Sequence, residues 1–447
     1  MGLWMLGFAI LGLLVAWGLR KCPWIASRPP GDRRGTPEEG AGGSGTGSRG
    51  PTVGSCQLVG KPSALAQALL KNFGQLACLE AGGWSWKAWP NLQTAVQFLW
   101  PPDRPLEFAR DHLQLSDKGL VALDWVVGPL SGKAKAAAPG LDAAVLVVVP
   151  NATGKITRNL RQLCQLALRE GCYPVIFNRR GHNGCPLTTS KLQPFGDPAD
   201  LKEAVAYLRF RHPAAMLFAV SEGSGSGLLL SYLGECGSSS YLRGAVCLSP
   251  LLKAQEWFER ETSWWYRWSC LLSQKRGISR YVNVLKEVTE VDQALRSRSL
   301  RAFEEALFCH GKGRNMTWEA YWDRNDPLRD VDEVAVPVLC LCSADDPIRG
   351  PPEDTIPWEL FQSNPYFFLL LSPHGGHCGF FGEDAGTSWG HSATLEYFRT
   401  VAEFFHTEER VHRRSLCLHH RRPHPEASPP ARLPLRETFS WQRSYTR

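Results

Sequence analysis

Two short stretches carry the residue types of acid–base chemistry. Ser343-Ala344-Asp345-Asp346-Pro347-Ile348 follows the apolar run Val338 to Cys342, so a carboxylate sits at the end of a strand. His374-Gly375-Gly376-His377-Cys378-Gly379-Phe380 comes later, with His377 lying 31 residues beyond Asp346 (377 − 346). An acid that holds an imidazole and stabilises its charged form makes that histidine a general base toward a nucleophile. The place for a nucleophile lies earlier. Met216 to Val220 reads as a short buried strand, Ser221 to Gly227 as a Gly/Ser turn, and Leu228, Leu229, Leu230, Tyr232 and Leu233 as a buried helix. Strand, sharp turn and helix is the layout of a nucleophile elbow, which needs Gly-x-Ser-x-Gly. This turn lacks that pattern. Ser221 has Ala219 two before it, Ser224 is flanked at that distance by Glu222 and Ser226, and Ser226 by Ser224 and Leu228.

Those stretches need a scaffold, and the chain around them alternates strand and helix. Arg110 to Trp125 alternates apolar and polar residues about Asp117-Lys118-Gly119, which predicts a hairpin. Beyond it, apolar runs at Ala143–Val149, Val175–Phe177, Ala245–Leu248, Val338–Cys342 and Tyr366–Leu371 read as strands. Between them, Leu160, Leu163, Cys164, Ala167 and Leu168 recur at helical spacing. Asp197-Pro198 opens a second helix with the buried stripe Leu201, Ala204, Val205 and Leu208. A last helix spans Leu395–Phe405. This rhythm is that of a mostly parallel sheet with helices on both faces. It stops between Leu251 and Trp322, where Trp257, Trp264, Trp265, Trp268 and Trp322 mark a helical cap over the carboxyl edge of the sheet. The tryptophans either line an acyl-chain pocket or bury the cap on the core, and for any single one the second reading is preferred.

The elbow, read as Ala219-Val220-Ser221-Glu222-Gly223-Ser224-Gly225-Ser226 and ending Tyr232-Leu233-Gly234-Glu235, resembles that of the α/β-hydrolase-domain esterases of short-chain and lipid esters. Their elbow reads Ala-Val-Gly-x-Ser-x-Gly-Gly and ends Tyr-Leu-Gly-Glu. Further stretches carry the likeness: Asn91-Leu92-Gln93-Thr94, the loop Pro150-Asn151-Ala152-Thr153-Gly154, and Asn178-Arg179-Arg180-Gly181-His182-Asn183-Gly184-Cys185-Pro186-Leu187-Thr188-Thr189. The resemblance implies an α/β-hydrolase fold with a helical cap insertion. It makes Asp346 the acid and His377 the base, in the order elbow, acid, histidine that this fold uses. It puts Gly223 at the nucleophile position, without the serine, and leaves Ser221 and Ser224 as the nearby hydroxyls. It implies an oxyanion hole from the loop at Asn151, where the family has glycine, and from Ser224 after the apex. Arg180 is expected to brace backbone or acids. Loss of a triad nucleophile costs on the order of a million-fold in rate. The expectation is therefore a protein impaired in catalysis, set in lipid metabolism, that binds a lipid or acyl-ester ligand or a protein partner. The alternatives are a serine carboxylesterase or acylglycerol lipase using a displaced serine with the Asp346–His377 pair, or a membrane-tethered adaptor. No cofactor and no metal is implied.

Composition is ordinary for a globular chain of 447 residues, with 43% hydrophobic and 21% charged residues. Net charge is +7, but the excess sits toward the ends and no basic face interleaved with aromatics marks a nucleic-acid partner. The 14 cysteines show no ligand spacing and read as buried small hydrophobes. Leu3 to Leu19 is apolar, followed by Arg20 and Lys21, which predicts an uncleaved membrane anchor over residues 1–23 with the body on the cytoplasmic side. Secretion after signal cleavage is the other reading. Residues 24–64 read as a Pro/Gly/Ser-rich tether, 65–406 as the hydrolase domain with its cap at about 251–325, and 407–447 as a basic disordered tail. Sequons stand at Asn151 and Asn315, the first inside the expected active-site loop, where a glycan would fill the site.

Overall fold

The computed structural model describes residues 52–53, 56–76, 89–99, 106–127, 144–260, 263–311, 314–381 and 388–419. The expected membrane anchor and most of the tether and tail lie outside these residues. The strands are β1 (Thr52–Val53), β2 (Cys56–Val59), β3 (Glu107–Gln114), β4 (Leu120–Val127), β5 (Val145–Val149), β6 (Tyr173–Asn178), β7 (Leu217–Glu222), β8 (Leu242–Leu248), β9 (His310–Gly311), β10 (Arg314–Asn315), β11 (Val338–Ser343) and β12 (Phe367–Ser372). All but β9 and β10 form one sheet in the order β1-β2-β12-β11-β8-β7-β5-β6-β4-β3. The stretch from β12 through β6 is parallel throughout. Antiparallel strands finish both edges. This is an α/β-hydrolase fold.

The parallel strands are buried on both faces, and their two-residue period still sorts the side chains. On β5, Leu146 and Val148 join the layer that holds Leu160, Tyr397 and Phe398. Val145, Val147 and Val149 face the layer that holds Leu201, Leu208, Leu229 and Leu233. The predicted hairpin pairs Arg110 with Asp124 and turns at Lys118, whose φ is +66°. The helix expected from Asp197 runs Ala199–Arg211, and the Asp197 Oδ1 accepts the Ala199 N–H at 3.0 Å. All four residues of its expected stripe are buried.

The sheet reaches further than the expected domain. β2 lies within the stretch read as tether, yet Leu58 and Val59 are buried and the strand pairs with Leu369–Leu371 of β12. The last helix runs from Trp389 to His419, well past the residue where a disordered tail was expected. The cap has its own apolar cluster, in which Trp257, Phe258, Trp318 and Trp322 pack with Phe195. Burial of the cap on the core, not an acyl channel, therefore accounts for Trp257 and Trp322. Trp264 and Trp268 do neither, being 59% and 61% exposed.

Arg180 braces the loop after β6 as expected. Its Nε and Nη2 donate to both carboxylate oxygens of Asp200 at 2.6 Å, and Nη2 lies 2.8 Å from Asp117. Arg180 and Asp200 are both buried, so removing Arg180 strands the Asp200 carboxylate without its cation. Arg180→Met is expected to lower unfolding stability by about 3–5 kcal/mol. The measurement is a drop in denaturant midpoint at unchanged slope.

Candidate active site

β7 ends in a bend at Gly223, where φ is +52°. An L side chain is strained there and glycine is not. Gly223–Gly225 forms one tight turn before the helix Ser226–Cys236. The turn is pressed against the end of β5, where a Cβ at Gly225 would stand 2.3 Å from the Pro150 carbonyl oxygen. Glycine at 225 is thus set by close approach, and at 223 by dihedral angle.

The structure brings the expected acid and base together. His377 Nδ1 lies 2.8 Å from Asp346 Oδ2, and the His377 side chain is 0% exposed. The other Asp346 oxygen accepts the backbone N–H groups of Ile348 at 2.8 Å and Arg349 at 3.0 Å. Burial pushes the Asp346 carboxyl pKa up, but His377 and then Arg349 outweigh it and hold the group below its ordinary value. The neighbouring Asp345 does not meet the imidazole of His377. It accepts the Gly376 N–H at 2.9 Å and steadies the Gly-Gly turn. The backbone N–H of His377 donates to Thr94 Oγ1 at 2.9 Å, which ties the helix Pro90–Leu99 to the site. Phe98 of that helix stacks on the imidazole at 6.0 Å, and Tyr266 of the cap meets it edge-on at 5.7 Å.

His377 Nε2 is buried and has no hydrogen-bond partner. It points at the bend. A Cβ placed on Gly223 would stand 2.9 Å from it. The two nearby hydroxyls point elsewhere. Ser221 Oγ lies 2.9 Å from Ser226 Oγ in a fully buried contact. Ser224 Oγ accepts the backbone N–H of Ala152 at 2.9 Å. In the expected oxyanion hole, donors come from the residue after the apex and from the loop after an early strand. The loop amide that faces the turn is that of Ala152, not of Asn151, and Ser224 already occupies it.

Asn151 has another use. It is not among the residues with positive φ, so its position does not demand glycine. Its Nδ2 donates to Glu222 Oε2 at 3.1 Å, and its Oδ1 accepts from Thr153 N and Oγ1. With its side chain buried and its amide committed, Asn151 cannot carry the glycan its sequon suggests. The side chain of Asn315 lies outside the described residues. Glu222, one residue before the bend, is fully buried. It also accepts from Thr157 Oγ1 at 2.7 Å and Asn159 Nδ2 at 2.9 Å. Burial raises its pKa against these hydrogen bonds and against the pull of His377. Asn159 Oδ1 in turn faces His391 Nε2 at 2.6 Å, so His391 carries its proton on Nε2. Sequence reasoning passed over Glu222, although a lone carboxylate inside an apolar strand was a signal. Thr94, Phe98, Tyr266 and Ala152 gave none by type or spacing. Among the described residues no cluster of His, Cys, Asp and Glu is placed to hold a metal ion.

A family model described as serine aminopeptidase, S33, matches residues 143–365. Human protein ABHD15 is 55% identical over 98% of this chain and 97% of its own length. Mouse phospholipase ABHD3 is 28% identical over 66% of this chain and 72% of its own. The yeast medium-chain fatty acid ethyl ester synthase/esterase 2 is 26% identical over 55% of this chain and 59% of its own. Among solved structures, an esterase of Pyrococcus furiosus aligns at 12% identity with a TM-score of 0.43, covering 77% of this chain and 98% of that one.

The polar network under the bend has a pH signature. Burial depresses the His391 pKa to about 3 from an ordinary 6.5. The unfolded chain therefore takes up this proton between those values and the folded chain does not. Stability is fully present above pH 6.5 and falls as pH drops toward 3. At pH near 5 the loss is about 2 kcal/mol, and His391→Gln is expected to remove that part of the slope. Denaturant titrations of both proteins across this range are the check.

Proposed function

Because the chain belongs to the α/β-hydrolase family of ABHD15, we propose that it keeps the binding architecture of a lipid-ester hydrolase while having lost the hydrolytic step, and that it serves as a regulatory lipid- or protein-binding domain held at a membrane. One observation carries this reading. His377 Nε2, the atom that would take a proton from a nucleophile, faces the bare backbone of Gly223 and no hydroxyl. A serine Cβ at 223 would stand 2.9 Å from that nitrogen, so the imidazole must shift to admit a side chain there. A displaced serine does not repair this. Ser221 is buried against Ser226, and Ser224 could turn to His377 only by releasing Ala152.

Ser224 adds a second impairment. Its hydroxyl engages an amide that would otherwise be open to a developing oxyanion. The ligand class follows from the relatives: a phospholipase and an ester synthase/esterase of fatty acids are similar to this chain, which supports a lipid or acyl ester as what the site receives. The membrane setting rests on the apolar run Leu3 to Leu19 and the cations that follow it.

The test is covalent labelling with a fluorophosphonate, with the modified residue mapped. The native protein is expected to stay unlabelled. Labelling at Ser221 or Ser224 that disappears in His377→Ala would establish the displaced-serine esterase instead. Gly223→Ser is expected to label slowly, because Ser224 still caps the loop amide. Gly223→Ser combined with Ser224→Ala is expected to label faster by up to about a hundredfold, the effect of freeing one oxyanion donor.

A further inference from the structure

The cap helix Trp264–Ser279 presents two opposed faces. Tyr266, Cys270 and Leu271 are buried, and Tyr266 reaches His377. On the outside, every fourth residue forms one ridge along a helix. That ridge reads Trp264, Trp268, Leu272, Arg276, Arg280. Both tryptophans are more than half exposed, Leu272 is half-buried, and both arginines are exposed. Large exposed aromatics one turn apart are unusual on a protein surface that meets only water.

Charge along the stretch is one-sided. From Ser263 to Lys286 there is no Asp or Glu, while Arg267, Lys275, Arg276, Arg280 and Lys286 are basic. Three of these cations are already used. Arg267 donates to the carbonyls of Trp257 and Phe258, Lys275 to that of Ser297, and Lys286 pairs with Asp292. Among the described residues Arg276 and Arg280 form no ion pair, and they are the two that continue the tryptophan ridge.

We propose that this ridge docks on an anionic phospholipid surface, with the Trp264 and Trp268 rings at the interface and Arg276 and Arg280 against lipid phosphates. Indole rings favour the boundary between headgroup and acyl chain, where the ring is apolar and its N–H is hydrated. Basic side chains beside such an aromatic face gain from the negative surface potential of the bilayer. A protein groove lined with apolar residues would take the tryptophans, but nothing about it would call for two unpaired cations and the absence of acids. The inference does not depend on whether Gly223 has cost the fold its reaction.

The test uses the full chain, bound through its other segments to nanodiscs of phosphatidylcholine alone or mixed with phosphatidylserine. Amide hydrogen exchange is read over residues 264–280. Exchange of this stretch is expected to slow on the mixed bilayer relative to the neutral one. Each arginine near the surface contributes about a fivefold preference, so Arg276→Gln with Arg280→Gln is expected to reduce the selectivity by about 25-fold. Trp264→Ser with Trp268→Ser is expected to abolish the protection. All four side chains point outward, and unchanged thermal unfolding of both variants shows that the cap remains folded. Equal exchange on the two bilayers overturns the proposal. So does protection that survives both pairs of substitutions, or protection that appears only when a second protein is present.

Discussion

A backbone that must turn through positive φ at the end of a buried strand controls the centre of this molecule. At Gly223 the dihedral angle strains ordinary side chains, and two residues on, the turn touches the β5 loop so closely that even a methyl group does not fit. A serine in that bend is strained, and the strain is useful only if its hydroxyl reacts. Glycine adopts the same bend freely. A glycine at this position therefore keeps the turn and offers no hydroxyl. Strand, bend and helix follow in order, with Leu228, Leu229, Leu230 and Leu233 packed beneath.

The acid and base are held by contacts of their own. Asp346 receives two backbone N–H groups, and the backbone of His377 donates to Thr94. Both side chains are buried against each other, so deleting either would leave the other without its partner. Asp345 holds the Gly375-Gly376 turn, and the His377 backbone ties the helix Pro90–Leu99 to it, whether or not a substrate arrives. Glu222 serves the loop on the other side. With donors from Asn151, Thr157 and Asn159, it joins the β5 loop to the helix Arg158–Arg169 and, through Asn159, to His391 on the last helix. A polar network this deep stabilises only while every member is satisfied. That gives Asn151 a structural use in the loop after β5.

What could be read from the sequence was what repeats or what frames. Two-residue alternation about Asp117-Lys118-Gly119 placed the hairpin, helical spacing placed Leu201 to Leu208, and the Gly-Gly frame singled out His377. What could not be read depends on partners far apart in the chain. Glu222 meets its donors across 63 to 71 residues, and neither end signals the other. The hydroxyl of Ser224 was visible as a candidate, but its engagement by Ala152 N–H was not, because backbone amides carry no residue type. Spacing did not separate Asp345 from Asp346; the family likeness did, and the structure pairs Asp346 with His377. β2 escaped notice for its brevity and for the polar, Gly-rich sequence around it. The cap tryptophans divide into buried and exposed by helix phase, which a count of aromatics hides.

The closure over His377 links these layers. Phe98 comes from a helix pinned to the histidine's own backbone through Thr94, so that side of the lid is part of the core. Tyr266 comes from a cap helix whose outer ridge is free. A helix moves as a body, because its backbone hydrogen bonds are shorter-ranged and stiffer than the contacts its side chains make with neighbours. Whatever meets Trp264 and Trp268 therefore acts on Tyr266 within the same turn of helix. The cap side of the His377 imidazole is thus covered by the same helix that carries the exposed ridge.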